Sequence, residues 1–303
     1  MQTRLLRYLV ALAREQHFAR AAAACNVSQP TLSAGLAALE EQLGKRLVLR
    51  DRRFLGLTAE GAAVLPWAQQ MLAISDSMVQ AVALPGGVLR GEIRLGVIPA
   101  AVPVAGYVSA AVRRHNPEVQ ISIRSLTSRE IQNGLDAFEL DGGLTYLDHE
   151  PPVNAMHVPL YAEQYVFACH AAQSVPPGRT IELSEASQMP LCLLHQGMQN
   201  RRILDARLAE RGLVLHPRVT ADTYLALMAL VETGEFATIV PDSYSGLIGR
   251  QSWARLIAFS DPLPPSRIGL VVLDRSPLGS LSLALLSAAR GVALPKRFHR
   301  FDR

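Results

Sequence analysis

FARAAAACNVSQPTLSAGLAALEEQLGKRLVLRDRRFLGLTAEG, residues 18–61, decides the reading of this chain. Ser28 stands where a helix cap is needed, and Pro30 follows in the first turn. Leu32, Leu36, Leu39 and Leu43 then recur at helical spacing until Gly44 stops the run. Upstream, Leu5, Leu6, Leu9, Leu12 and Ala13 share one face of a helix over residues 3–15. A second helix is expected over Phe18–Ala24, with Asn26 at the break. Three short helices with a tight turn before the third make a helix-turn-helix. The third would offer Gln29, Thr31, Ser33 and Ala34 to a DNA major groove about 12 Å wide. Gln29 can pair with adenine or hold a phosphate. Thr31 and Ser33 are short donors. Beyond Gly44, Leu47–Leu49 and Phe54–Leu55 read as two short strands around Asp51-Arg52-Arg53. They form a β-wing whose arginines suit a phosphate backbone or a minor groove. The plainer alternative has Arg50 and Arg53 pairing with Glu40 and Glu41.

Charge points the same way. Residues 1–58 carry nine Lys/Arg and four acids, whereas the other 245 residues carry 21 and 22, so the whole basic excess sits in the first fifth. A polyanion is the partner this implies for that part. The chain has 303 residues, 49 % apolar and 18 % charged. That length suggests about two domains and excludes a mostly unfolded chain. Cys25, Cys169 and Cys192 are widely spaced and odd in number, which suggests neither a disulfide framework nor a zinc site. A reduced, cytoplasmic protein is expected. Arg7 and Arg14 interrupt the apolar N-terminal run, which fits an amphipathic helix better than a signal peptide. The uncharged stretch Leu95–Val112 is broken by Gly96, Pro99, Pro103 and Gly106, so no membrane span is expected.

The density of matches in residues 18–61 resembles the winged helix-turn-helix of LysR-type transcriptional regulators. The matching positions include Phe18, Ala21, Ala22, Val27-Ser28-Gln29-Pro30, Ser33, Leu36, Leu39-Glu40, Leu43-Gly44, Leu47, Arg50, Arg53, Leu57-Thr58 and Gly61. The resemblance implies a DNA-facing set of Arg20, Ser28, Gln29, Pro30, Thr31, Ser33, Arg50 and Arg53. Position 17 is His rather than Ser, and Ala34 and Gly35 stand where longer polar residues are usual. That shifts weight to Gln29, Ser33, the wing and DNA shape.

From Thr58 a helix of some 25 residues is expected. Its apolar seam is Leu65, Ala68, Leu72, Ser75, Val79 and Val82, with Val64, Met71 and Met78 beside it and Pro66 near an early turn. It resembles the family's linker helix, through which two copies dimerise. Pro85-Gly86-Gly87 marks a hinge. Downstream, strands are expected at Glu92–Ile98, Gln120–Leu126, Gly143–Leu147, Tyr165–Ala168, Leu191–Leu194, Thr238–Val240 and Ile268–Leu273. Helices are expected at Val102–His115, Ser128–Phe138, Arg201–Arg211, Thr223–Thr233 and Leu278–Gly291. Alternation of this kind means an α/β domain with mostly parallel sheets.

GEIRLGV (91–97), Leu140-Asp141 with Gly143, and VETGEFATIVP (231–241) are similar to anchors of the family's effector domain. The implied fold class is mixed. A winged helix-turn-helix (1–58) leads through a linker helix and hinge (59–89) to a two-lobed α/β domain of periplasmic-binding-protein type (90–303). Lobe I is 90–162 with 268–303, and lobe II is 163–267. An effector would sit where strand ends and helix N-termini converge. The candidate contacts are Pro99 and Ala100; Thr127 and Ser128, a plausible anion nest; Met198, Asn200 and Arg202; and Asp222 and Thr223. A small anion, such as a carboxylate, is the expected class.

No nucleotide-loop, metallohydrolase or serine-hydrolase motif occurs, so no enzyme, cofactor or metal is expected. The partners implied are double-stranded DNA, a small effector, further copies of the chain as dimer to tetramer, and RNA polymerase. The rival readings are an architectural DNA binder with a vestigial cleft and a solute-binding protein.

Overall fold

The computed structural model describes residues 2–50, 53–83, 88–173, 178–248 and 252–299. The expected hinge at Pro85-Gly86-Gly87 and wing residues Asp51 and Arg52 lie outside them. The chain divides into two compact units. One is Met1–Leu89 with Gly134–Glu139 and Pro277–Ser280, and the other holds the rest.

In the first unit, α1 (Thr3–Glu15), α2 (Phe18–Ala24) and α3 (Gln29–Leu43) are followed by β1 (Val48–Arg50), β2 (Phe54–Leu57) and α4 (Ala59–Ala83). Each break carries one residue in the left-handed region, two of them the favoured types Asn and Gly. Gln16 ends α1 at φ 51°, Asn26 lies between α2 and α3 at φ 54°, and Gly44 ends α3 at φ 66°. The core gathers Leu5, Leu6, Leu9 and Leu12 with Leu32, Leu36 and Leu39, closed by Leu47, Ala68 and Leu72. Burying each leucine stabilises by roughly 1.5–3 kcal/mol. Gly35 is required by packing, because a Cβ there would lie 2.5 Å from the Tyr8 ring.

Two contacts fix the wing. The buried Glu40 carboxylate accepts from the backbone N–H groups of Leu47 (2.9 Å) and Val48 (3.1 Å). Thr58 Oγ1 donates to the Arg46 carbonyl (2.7 Å) and accepts from Gly61 N (2.9 Å). A Cβ on Gly61 would lie 2.0 Å from the Leu47 carbonyl oxygen, so only glycine allows α4 to start this close to β1.

The second unit is built on two main sheets. The five-stranded sheet has the order β4-β3-β5-β12-β6: β3 (Gly91–Val97), β4 (Val119–Ser125), β5 (Gly142–Tyr146), β6 (Ala155–Glu163) and β12 (Ser266–Leu273). The three-stranded sheet has β7 (Tyr165–His170) between β10 (Thr238–Pro241) and β11 (Ala254–Ala258). A short parallel pair joins β8 (Cys192–Leu194) to β9 (Val219–Ala221). The helices are α5 (Val102–His115), α6 (Ser128–Asp136), α7 (Leu183–Ser187), α8 (Gln199–Ala209), α9 (Tyr224–Glu232), α10 (Ser245–Ile248) and α11 (Ser280–Gly291).

The sheets are mixed, not mostly parallel as expected. β3 pairs parallel with β4 and β5, but β12 runs antiparallel to β5 and β6, and every pairing in the three-stranded sheet is antiparallel. The physical reason is the route of the chain. It passes straight from β6 to β7 through Gln164, and from β11 to β12 through residues 259–265, with no crossover helix to restore direction.

Candidate DNA-binding face and effector cleft

Ser28 caps α3: its hydroxyl accepts from Thr31 N (3.3 Å) and contacts Thr31 Oγ1 (2.8 Å). This sets Gln29 and Pro30 in the exposed first turn, with Thr31 exposed behind them and Ser33 half-buried. Arg53, also exposed, stands before β2. Gln29 and Arg53 line one open depression of about 640 Å³ with Gln16, His17, Phe18, Phe54 and Leu55. Arg20 is exposed and donates to the Glu15 carbonyl (2.7 Å). The Arg50 side chain lies outside the described residues. The α1–α2 turn contributes Gln16 and His17 to this face, and the sequence reading did not include them.

Along α4 the expected seam divides. Ala68 and Leu72 are buried in the core of the head, with Val64 and Leu65 packed against it. Trp67 (68 % exposed), Met71, Ile74 (53 %) and Met78 (64 %) form a separate apolar stripe at i, i+4, i+7, i+11, with Val79 beside it.

In the second unit, three of the four expected cleft segments come together. Pro99 and Ala100, Thr127 and Ser128, and Met198 and Asn200 line one cavity with Ile98, Tyr146, Leu194 and Gln199. Its volume is about 10 Å³, room for about one water. The fourth segment does not line this cavity but an adjoining groove that shares Pro99 with it. Thr223 caps α9 through Ala226 N (3.2 Å) and lines this apolar groove with Leu225, Met228 and Trp253, while Asp222 is exposed in the preceding turn. Arg202 reaches away to Glu150 (2.7 Å) and the Gly197 carbonyl (2.7 Å). His195 is exposed, its Nδ1 accepting from Gly197 N (3.0 Å).

Thr127, Tyr146 and Asn200 in the cavity are already engaged, whereas Gln199 Oε1 is buried there without a hydrogen-bond partner. Glu130 Oε2 accepts from Thr127 N (2.7 Å) and Thr127 Oγ1 (2.8 Å), a reciprocal cap that holds the Glu130 carboxyl below its ordinary range. An external anion at Thr127 therefore has to displace this carboxylate. Behind the cavity, Asn200 Nδ2 donates to Tyr146 OH (2.6 Å) and Tyr165 OH (3.1 Å), and Tyr224 OH donates to Asn200 Oδ1 (2.8 Å). Tyr146 OH donates to Glu163 Oε1 (2.6 Å). Burial lifts the Glu163 carboxyl to about 8; Asp242 adds to the rise, and Tyr146 and Arg207 oppose it. Tyr161, Glu163 and Tyr165 alternate along β6–β7, a spacing that could have flagged one shared face in the sequence.

Cys169 and Cys192 are buried, and burial raises both thiols, Cys192 to about 11. Neither lines the cavity. Among the described residues, no group of three or more His, Cys, Asp or Glu side chains is placed to hold a metal. No described helix is long and apolar enough to cross a membrane.

A helix-turn-helix head joined to an α/β ligand domain defines a DNA-binding transcriptional regulator. Residues 3–62 match the family described as bacterial regulatory helix-turn-helix protein, lysR family, and residues 86–293 match the LysR substrate binding domain. The chain belongs to the LysR family. It is 33 % identical over 275 residues to a probable hydrogen peroxide-inducible genes activator of Mycobacterium avium, covering 89 % of this chain and 88 % of that protein. A full-length OxyR variant of Pseudomonas aeruginosa shares the fold with TM-score 0.79 at 23 % identity, covering 100 % of this chain and 99 % of that one. CbnR in complex with its target DNA does so with TM-score 0.70 at 22 % identity, covering 97 % and 100 %. The relatives found are regulators rather than enzymes.

Proposed function

We propose that this LysR-type regulator grips operator DNA through Arg20, Ser28, Gln29, Pro30, Thr31, Ser33, Arg50 and Arg53, and responds to a small effector entering the cavity beside Thr127 and Asn200. The observation that carries the DNA reading is the shared depression of Gln29 and Arg53, held in register by Glu40 gripping the wing backbone. Two heads on paired α4 helices would read half-sites about one helical turn, or multiples of it, apart. The apolar stripe Trp67–Met71–Ile74–Met78 supports that pairing. A tetramer of two dimers, a cytoplasmic location, contact with RNA polymerase and the absence of an enzymatic activity complete the reading. So do the domain limits 1–58, 59–89 and 90–303, with lobes at 90–162 plus 268–303 and at 163–267.

The effector is read as a carboxylate or other small anion that takes the place of Glu130 at Thr127 and meets Pro99, Ala100, Ser128 and Met198. Asp222, Thr223 and Arg202 would meet it only after the lobes rearrange. The buried, high-pKa thiols do not support peroxide sensing through Cys169 or Cys192, although relatives carry peroxide-inducible names.

Fluorescence anisotropy on the duplex upstream of the gene, against scrambled DNA at about 150 mM salt, tests the function. A preference of 10³-fold or more is expected for specific readout. Equal weak binding to both would remove sequence-specific regulation at that site. Thermal stabilisation by members of a small-acid panel, lost in Thr127→Ala, tests the cavity; a shift unchanged in that variant would move the effector elsewhere.

A further inference from the structure

The depression that holds Gln29 and Arg53 also holds an imidazole. His17 begins α2 with extended backbone (φ −153°, ψ 123°), and its side chain makes no capping hydrogen bond. It is exposed, as are Gln29 and Arg53. These three come from three elements: the α1–α2 turn, the first residue of α3, and the end of the wing. Nothing in the fold of the head requires an imidazole at position 17. The usual cap types are Ser, Thr, Asp and Asn, and His17 supplies no such bond.

We propose that His17 is a phosphate contact of the DNA-binding face, and that its protonation makes the grip on DNA pH-dependent. This rests on the reading of the head as the DNA-binding part. An imidazole titrates within the physiological range, and a phosphate beside it favours the charged form. Among the described residues, the charged groups close to it in sequence are Arg14 and Glu15 at the end of α1 and Arg20 in α2, and Arg53 before β2 shares its depression. Arg14 and Glu15 pair with each other at 3.1 Å, and Arg20 is held on the Glu15 carbonyl. Arginine and carboxylate keep their charge between pH 5.5 and 8. Among the described residues lining the depression, His17 is the one imidazole. DNA that meets Gln29 and Arg53 therefore meets a third donor in the same depression.

The test uses the full chain and two duplexes, the upstream intergenic sequence and a random one, because phosphate contacts do not depend on sequence. Anisotropy is read at pH 5.5 and 8 over a salt series at constant buffer charge. Wild-type affinity should rise by roughly three- to tenfold per head on acidification. In His17→Gln that gain should disappear, and the salt slope at pH 5.5 should fall by about one per head relative to wild type. His17→Arg should hold the steeper slope at both pH values. His17 is exposed and its side chain makes no capping bond, while its carbonyl bond from Ala21 N survives substitution, so both variants are expected to fold. A pH gain equal in His17→Gln and wild type overturns the proposal while leaving DNA binding intact. Failure of wild type to bind either duplex at low salt and pH 5.5 overturns the underlying reading and the proposal with it.

Discussion

The head and the effector cavity hold their polar residues in opposite ways. In the head, Gln29, Arg53 and His17 are exposed around an open depression of about 640 Å³. In the cavity, Asn200, Tyr146 and Thr127 are bound to Tyr165, Tyr224, Glu163 and Glu130, and the space left holds about one water. A surface meant for a large, rigid polyanion can be presented ready-made. A pocket for a small effector engages most of its own buried polar groups while empty, because each one left bare, as Gln199 Oε1 is, costs about 1–3 kcal/mol. The lesson is that substitutions of the exposed side chains around the head's depression should change binding before stability, and those around the cavity stability before anything else.

The largest effect expected tests the tightest backbone approach in the head. Gly61→Ala forces a Cβ onto the Leu47 carbonyl and should cost roughly 3 kcal/mol or more. Hydrogen exchange should speed up across residues 3–72 while the effector domain stays protected, and DNA binding should be lost. Normal exchange in the head would show that the close approach is dispensable.

Next comes Asn200→Ala, which leaves Tyr146, Tyr165 and Tyr224 without their shared partner and should destabilise the effector domain by about 2–3 kcal/mol. Urea melts followed by exchange in β5, β7 and α8 would read this, with random-DNA affinity unchanged. A silent variant would erase the contrast, since Asn200 would then be as uncommitted as Gln29.

Glu163 gives the third effect. Its folded carboxyl sits near 8, above an ordinary carboxyl, so the folded state keeps a proton that the unfolded chain has released. Stability therefore falls as pH rises from about 4.5 to 8 and levels off above that. Glu163→Gln should flatten this part of the urea-midpoint profile, and a profile with its slope intact would place the titration elsewhere. The smallest effect on stability belongs to Arg53→Ala. It should change the unfolding free energy from urea melts by less than about 0.5 kcal/mol, yet lower the salt slope of DNA binding by about one per head. A stability loss without a change in slope would make Arg53 a structural residue.

The head was largely legible because its signals are local. Leucine spacing, the Ser28 cap with Pro30 and the Gly44 stop each act within a few residues, and all three helices fall where expected. The effector domain was less so. Strand β6 went unread because Pro159 interrupts it; as the edge strand of its sheet it tolerates the missing N–H, and its register with β12 shifts at Ile268/Gly269, opposite that proline. The edge strand β11 and the three-residue β9 carry too little pattern to be read. The cavity segments were found by their helix starts, but their partners were not. Tyr146, Glu163, Tyr165 and Tyr224 converge on Asn200 from 24 to 54 residues away, and no local periodicity reports such a meeting. The α4 seam was misjudged for a related reason: Ala68 and Leu72 serve the head's own core, which leaves the Trp67–Met78 stripe outside.

The confinement of the basic excess to residues 1–58 has a consequence for how the molecule spends its time. The head alone supplies the sequence-independent attraction that lets a protein slide and hop along a chromosome, while the near-neutral effector domain is carried as cargo. Pairing two heads multiplies that hold without adding charge to the part that meets the effector. The regulator is then expected to reside on DNA whether or not its operator is near, so that the effector diffuses to a chromosome-bound receiver instead of summoning the protein from solution.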